Sequence, residues 1–242
     1  MNRRAGQVGE GFGIGRVHLL PGGVSCVDLC GFAPAEIVGH AFDSAVALLA
    51  GTHALILDLR QNAGGEPDGV AYWLSHFFAK GDARHLNDIY NRPDNTTREY
   101  CTIPTATPRV TGPIYILTSH DTFSGGEECA YDLQTRKRAT LVGETTGGVA
   151  NAGDYVSLGQ GFIAFIPNVR SINPITRTNW EHVGVKLDVA VSASSAMKVA
   201  YITILDNLLK TSKDPDEQTD LKDILARVQS GAFQLPAYYP RH

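Results

Sequence analysis

The stretch Ala54-Leu-Ile-Leu-Asp-Leu-Arg-Gln-Asn-Ala-Gly-Gly65 decides the fold. Its first half is a short, nearly continuous apolar run, the pattern of a strand buried on both faces of a parallel sheet. Its second half is rich in turn formers, and the periodicity that follows predicts a helix over residues 66–78. Strand, glycine turn and helix make one βα unit. The same pattern recurs at Ile114-Tyr-Ile-Leu-Thr118, which leads into Ser119-His-Asp-Thr-Phe-Ser-Gly-Gly126 and a helix predicted over 127–135. A third short strand is predicted over 140–143. Repeated units of this kind predict an α/β fold in which the loops leaving the strand C-termini share one edge, where sites form in open α/β sheets.

Outward from these units, apolar runs over 14–20 and 24–29 flank the turn Pro21-Gly-Gly23 and read as two strands. A helix is predicted over 34–49, with Pro34 suited to its first turn. Residues 81–113 read as hairpin and loop, punctuated by Pro93, Pro104, Pro108 and Pro113. A strand is predicted over 162–166 and a helix over 195–209. The polar run 212–220 reads as a linker and 221–228 as a short helix. The expected organisation is a flexible lead-in over 1–13, an α/β core over 14–210, and a linker, short helix and tail over 211–242.

The composition is that of an ordinary globular chain: 242 residues, 43% hydrophobic, 19% charged, net charge −4. No dense Lys/Arg block marks a nucleic-acid surface, and no apolar run approaches the length of a membrane span. The high count is 25 glycines, which implies many sharp turns or close approaches. Cys26, Cys30, Cys101 and Cys129 match no zinc spacing and read as small hydrophobes. No metal or cofactor motif is present. The first residues are basic but lack the apolar core of a secretory signal, so the expected compartment of the chain as written is the cytoplasm.

The segment Thr122-Phe-Ser-Gly-Gly-Glu-Glu128 lies between a buried strand and a helix. A serine at such a turn exposes its hydroxyl, adjacent glycines free amides to face a carbonyl oxygen, and the helix N-terminus adds positive potential. This is not the G-x-S-x-G elbow, since position 122 is Thr. The local alternative is that Ser124 is a helix N-cap, with Glu127 completing a capping box. Asn62-Ala-Gly-Gly65 is a second glycine loop at a strand C-terminus; it reads as another amide donor or as a plain tight turn. Glu127, Glu128 and Glu144 form a carboxylate group close to Ser124 in sequence; they could bind a peptide amine or a base, but read first as caps and surface charges.

Taken together, Asp58-Leu-Arg-Gln-Asn-Ala-Gly-Gly65, Thr118-Ser-His-Asp-Thr-Phe-Ser-Gly-Gly-Glu-Glu128, Gly143-Glu-Thr-Thr-Gly-Gly148 and Ile172-Asn-Pro-Ile-Thr-Arg-Thr-Asn-Trp-Glu-His-Val-Gly-Val185 resemble the tail-specific (carboxyl-terminal processing) serine peptidases. The similarity is greatest to the bacterial branch related to interphotoreceptor retinoid-binding protein and the tricorn core protease. It extends from about residue 14 to about residue 209.

The resemblance implies a crotonase/Clp-like core, a central sheet flanked by helices, and hydrolysis of a peptide or protein substrate without a cofactor. It places the nucleophile at Ser124 and the oxyanion hole at Gly125 and Gly65, with Gly64 beside it. Many members use a lysine after the segment that here reads Gly143-Glu-Thr-Thr-Gly-Gly-Val-Ala-Asn151, and no lysine follows. The tricorn-like branch uses an upstream histidine and a downstream glutamate, which implies His18 and Glu181; its accompanying serine is replaced by Val17. A neutral imidazole oriented by a carboxylate suits deprotonation of a hydroxyl. His120 and His182 are the alternative bases. Similar bacterial proteins are often exported, and an oligomer is compatible with the resemblance. Two other readings remain open: a non-catalytic relative that binds an apolar ligand or peptide, and an acyl-CoA enzyme using the same two amides.

Overall fold

A computed structural model describes residues 11–103 and 109–239. After a short turn the chain runs through β1 (Ile14–Leu20), β2 (Val24–Leu29), α1 (Ala35–Leu49), β3 (Ala54–Asp58) and α2 (Pro67–Leu74). It continues through β4 (His85–Asn91), β5 (Thr96–Cys101), β6 (Ile114–Thr118), α3 (Gly125–Thr135) and β7 (Ala139–Gly143). Then follow β8 (Gly153–Gly159), β9 (Phe162–Pro167), β10 (Val169–Ile172), β11 (Val189–Ala190), α4 (Ala193–Thr211) and α5 (Pro215–Ser230).

The central sheet has six strands in the order β1-β2-β3-β6-β7-β11. All are parallel except β1, which pairs antiparallel with β2 at the edge. Every residue of β3 and β6 is buried, which explains their unbroken apolar sequences. One face carries Val27, Leu29, Leu55, Leu57 and Ile116 against Phe42, Trp73 and Leu133 of α1, α2 and α3. The other carries Cys26, Ile56, Tyr115 and Leu117 against α4 and α5. A three-stranded sheet, β10-β4-β5, and the hairpin β8-β9 complete the fold. The architecture is therefore the expected α/β core, a mostly parallel sheet flanked by helices.

Several boundaries differ from the sequence reading. The stretch 212–220 is not an extended linker: α5 begins at Pro215 and runs to Ser230. Its signals were local. Asp214 is the N-cap and accepts from Asp216 N–H at 2.9 Å, Pro215 occupies the first turn, and Gly231 closes the helix at φ 81°. The helix of 66–78 ends at Leu74 and tightens into a 3-10 turn, Ser75–Phe77. Strands β8, β10 and β11 were not expected. β11 has two residues, and β10 gains its place by pairing with β4, a partner distant in sequence. Residues 1–10 of the expected lead-in, Pro104 and Pro108 lie outside the described residues.

Candidate active site

The loops that follow β3 and β6 emerge side by side, because these strands pair in parallel with Leu57 opposite Ile116 and Asp58 opposite Leu117. The β3 loop is tied to the β6 loop at several points. Thr122 Oγ1 donates to Leu59 O at 2.9 Å, Ser119 Oγ donates to Arg60 O at 2.5 Å, and Phe123 N–H donates to Asn62 O at 2.9 Å. Asn62 is fully buried and organises its own loop: Nδ2 donates to Leu29 O and Oδ1 accepts from Gly64 N–H, both at 2.8 Å.

Ser124 stands at the junction of the β6 loop and α3 with φ 49° and ψ −115°. Such a conformation costs a non-glycine residue on the order of 1–3 kcal/mol, and it persists only where the surroundings over-determine it. Here they do. Ser124 N–H donates to Glu127 Oε2 at 2.9 Å. The same carboxylate, fully buried, accepts from Thr146 Oγ1 at 2.6 Å, Gly148 N–H at 2.6 Å and Val149 N–H at 2.9 Å. Burial pushes the Glu127 carboxyl up, and these four donors pull it back toward the ionised form. Ser124 is thus the N-cap of α3 with Glu127 completing the expected capping box, and Glu127 is not a surface charge. It fastens the serine turn to the loop after β7.

The two glycine loops interlock. A Cβ on Gly64 would stand 2.7 Å from Ser124 Cβ and 2.9 Å from Gly125 N, and one on Gly125 would stand 3.1 Å from Gly65 N. Gly65 has φ 136°, and a Cβ there would lie 1.9 Å from Phe32 O, so no side chain fits. Among the described residues, the N–H groups of Gly65 and Gly125 have no acceptor. Gly64, expected beside them in the oxyanion hole, does not offer its amide, since Asn62 Oδ1 takes it. The result is a half-buried hydroxyl flanked by two unpaired amides at a helix N-terminus, an arrangement able to stabilise negative charge on an oxygen.

This group opens on a cleft of about 840 Å³, whose lining includes Gly65, Ser124, Glu128, Tyr100, Phe165 and Trp180. Among its lining residues there is no histidine and no lysine.

The fold does not bring His18 to this site. His18 sits on β1 directly opposite Cys26, whose own partner on β3 is Ile56 and, beyond it, Tyr115 on β6. Three strand spacings, ~14 Å, separate it from β6. Cross-strand partners share a face, so His18 lies with Cys26 on the α4–α5 side, whereas Ser124 begins a helix on the other. His120 and His182 are exposed, and neither lines the cleft. Glu181 has a different task from orienting His18. Its Oε2 accepts from Ala150 N–H at 2.7 Å and Asn151 N–H at 2.8 Å, both cleft-lining residues, and its Oε1 lies 3.6 Å from His182 Nε2. Trp180 Nε1 donates to Val149 O at 3.1 Å from the same side. The roles of Asn62 and Trp180 were not anticipated from the sequence, and Glu127 was anticipated only as a cap. The three-residue spacing from Ser124 to Glu127 was the one local signal.

Elsewhere, the β4–β5 ladder gathers His85, Asp88 and Glu99 with potential ligand atoms within 4.8 Å of one another, a grouping no sequence spacing announced. His85 Nε2 and Asp88 Oδ1 are 2.7 Å apart. Cys26 and Cys129 are buried, and burial pushes both thiols up. No helix among the described residues is long and apolar enough to cross a membrane.

Comparison with known proteins agrees with this architecture. The chain is similar in structure to the photosystem II D1 C-terminal processing protease (TM-score 0.57, 23% identity, 75% of this chain and 46% of that one). It is also similar to mature CPAF complexed with lactacystin (0.59, 12%, 86% and 52%) and to a lipoprotein from Streptococcus agalactiae (0.60, 15%, 79% and 69%). The chain spans about half the length of the first two. The sequence model of peptidase family S41 matches residues 24–191, a span that contains both glycine loops and Glu181, and the chain belongs to peptidase family S41.

Proposed function

We propose that the chain is a serine-type peptidase acting through Ser124. In this reading the Ser124 oxygen adds to a peptide carbonyl carbon, and the amides of Gly65 and Gly125 hold the resulting oxyanion. The C–N bond then breaks, the amine leaves with the proton, and water releases the acyl group. The observation that carries the reading is the strained Ser124 turn locked against two amides that lack acceptors, at the mouth of the cleft. Family membership supports peptide or protein substrates. His18 has no part in this proposal, and Glu181 serves by holding residues 150–151 against the cleft.

The test is reaction with a fluorophosphonate, followed by mass spectrometry of the labelled peptide. The expected result is an adduct on Ser124, lost in Ser124→Ala together with peptide hydrolysis. Folded protein that forms no adduct overturns the reading. It would favour a second one, a non-catalytic member that holds an extended peptide or apolar ligand. That alternative has an observation of its own: the cleft is walled by Ile89, Tyr100, Tyr155, Phe165 and Trp180 and lacks histidine and lysine among its lining residues.

A further inference from the structure

Glu128 has no role in the site described so far. It is 4% exposed, lies one helical turn beyond Ser124, and lines the same cleft. Its own N–H donates to Ser124 O at 2.9 Å, which fixes the two residues in adjacent turns of one helix face. The side-chain amide of Asn87, fully buried, is set against this carboxyl and favours its ionised form; Asn87 Nδ2 has no other acceptor. A buried carboxyl with one neutral amide beside it is costly to ionise.

Among the described residues, no cation lowers this carboxyl. Arg136 is engaged with Asp132, and Arg98 stacks on Tyr100, 4.8 Å from its ring centroid, outside the cleft lining. Asp132 lies beneath Glu128 on the next turn and adds repulsion. Burial and this neighbour push Glu128 well above the usual carboxylate range. The charged residues in the cleft wall are Glu66 and Glu128, both acidic. The rest of the cleft lining is mostly apolar, Ile89, Tyr100 and Trp180 among it, with Asn151 and Ser171 as polar members.

A mostly apolar cleft with a buried acid in its wall and no cation beside it fits one kind of side chain: a long methylene stem carrying a cation. We propose that Glu128 is the floor of a subsite for a lysine or arginine side chain of the bound peptide, at the residue whose carbonyl sits at Ser124. The stem packs along the aromatic and aliphatic wall, and the ammonium or guanidinium donates to Glu128. Adjacent helical turns put Cβ atoms ~5–6 Å apart, about the reach of a lysine stem from its own backbone.

This inference rests on the peptide occupying the cleft proposed above, and its test is separable from catalysis. Peptides identical except for lysine or norleucine at their C-terminal residue are titrated calorimetrically into the Ser124→Ala protein. The expected result is tighter binding of the lysine peptide by roughly tenfold or more, a difference that Glu128→Gln erases. Equal affinities for the two peptides in the Ser124→Ala protein overturn the subsite, with no need for the second variant to fold. A difference that survives Glu128→Gln in folded protein also overturns it. If the lysine preference holds while the unsubstituted protein forms no fluorophosphonate adduct, the subsite stands and the catalytic reading falls.

Discussion

Gly64 and Ser124 belong to loops sixty residues apart, yet a single methyl group on Gly64 would stand 2.7 Å from Ser124 Cβ. The contact joins the β3 loop to the serine turn and leaves Gly65 N–H beside Gly125. Gly64→Ala is therefore expected to do more than strain a φ of 87°. It pushes the loops apart and misplaces an amide donor, with a loss on the order of 10²–10³ in the rate of fluorophosphonate labelling. Labelling kinetics on protein verified as folded by circular dichroism check this.

The strain at Ser124 makes an opposite prediction for stability. Glycine accepts φ 49° without penalty, so Ser124→Gly is expected to raise stability by about 1 kcal/mol while abolishing labelling. Urea unfolding midpoints of the two proteins decide it. A glycine variant less stable than the parent would show that the serine turn is not strained.

Glu127 accepts from three backbone amides and one hydroxyl, with both oxygens saturated. Glu127→Gln presents an NH2 group to donors and leaves buried amides unpaired. A destabilisation of about 1–3 kcal/mol is expected, with slower labelling because the serine turn loses its tie to the β7 loop. Equilibrium denaturation and labelling measure the two effects.

Asp132 gives a pH signature. Its carboxyl is pushed up to about 7 by burial, opposed by Arg136 and by the amide of Asn173, and Glu128 on the preceding turn is raised as well. A carboxyl whose folded pKa exceeds its unfolded one binds the proton more tightly in the native state. Its contribution to stability is thus present at low pH and lost as pH rises from about 4 toward 7. Asp132→Asn is expected to flatten that part of the stability profile, measured by denaturant midpoints across the range.

His18→Ala tests the placement of the histidine. Lying with Cys26 on the face covered by α4 and α5, His18 is expected to leave Ser124 labelling unchanged within about twofold. A loss comparable to that of the serine variant would show that the histidine reaches the nucleophile after all.

The sequence by itself determined the βα units. Ala54-Leu-Ile-Leu and Ile114-Tyr-Ile-Leu are buried on both faces, and that burial is written directly as unbroken apolar runs. It also singled out Ser124 and Gly65, because a serine and glycines at strand ends are local chemistry. What it could not carry was adjacency across the sheet. His18 and Glu181 were paired through resemblance, but strand order places β1 at the far edge, on the wrong face. Glu127 and Glu128 are neighbours with identical side chains and unrelated fates. One turns inward to four donors supplied mostly by the β7 loop, and the other lines the cleft with the amide of Asn87 set against it. Those partners come from segments brought together by sheet pairing, so the meaning of each carboxylate was decided by tertiary structure alone.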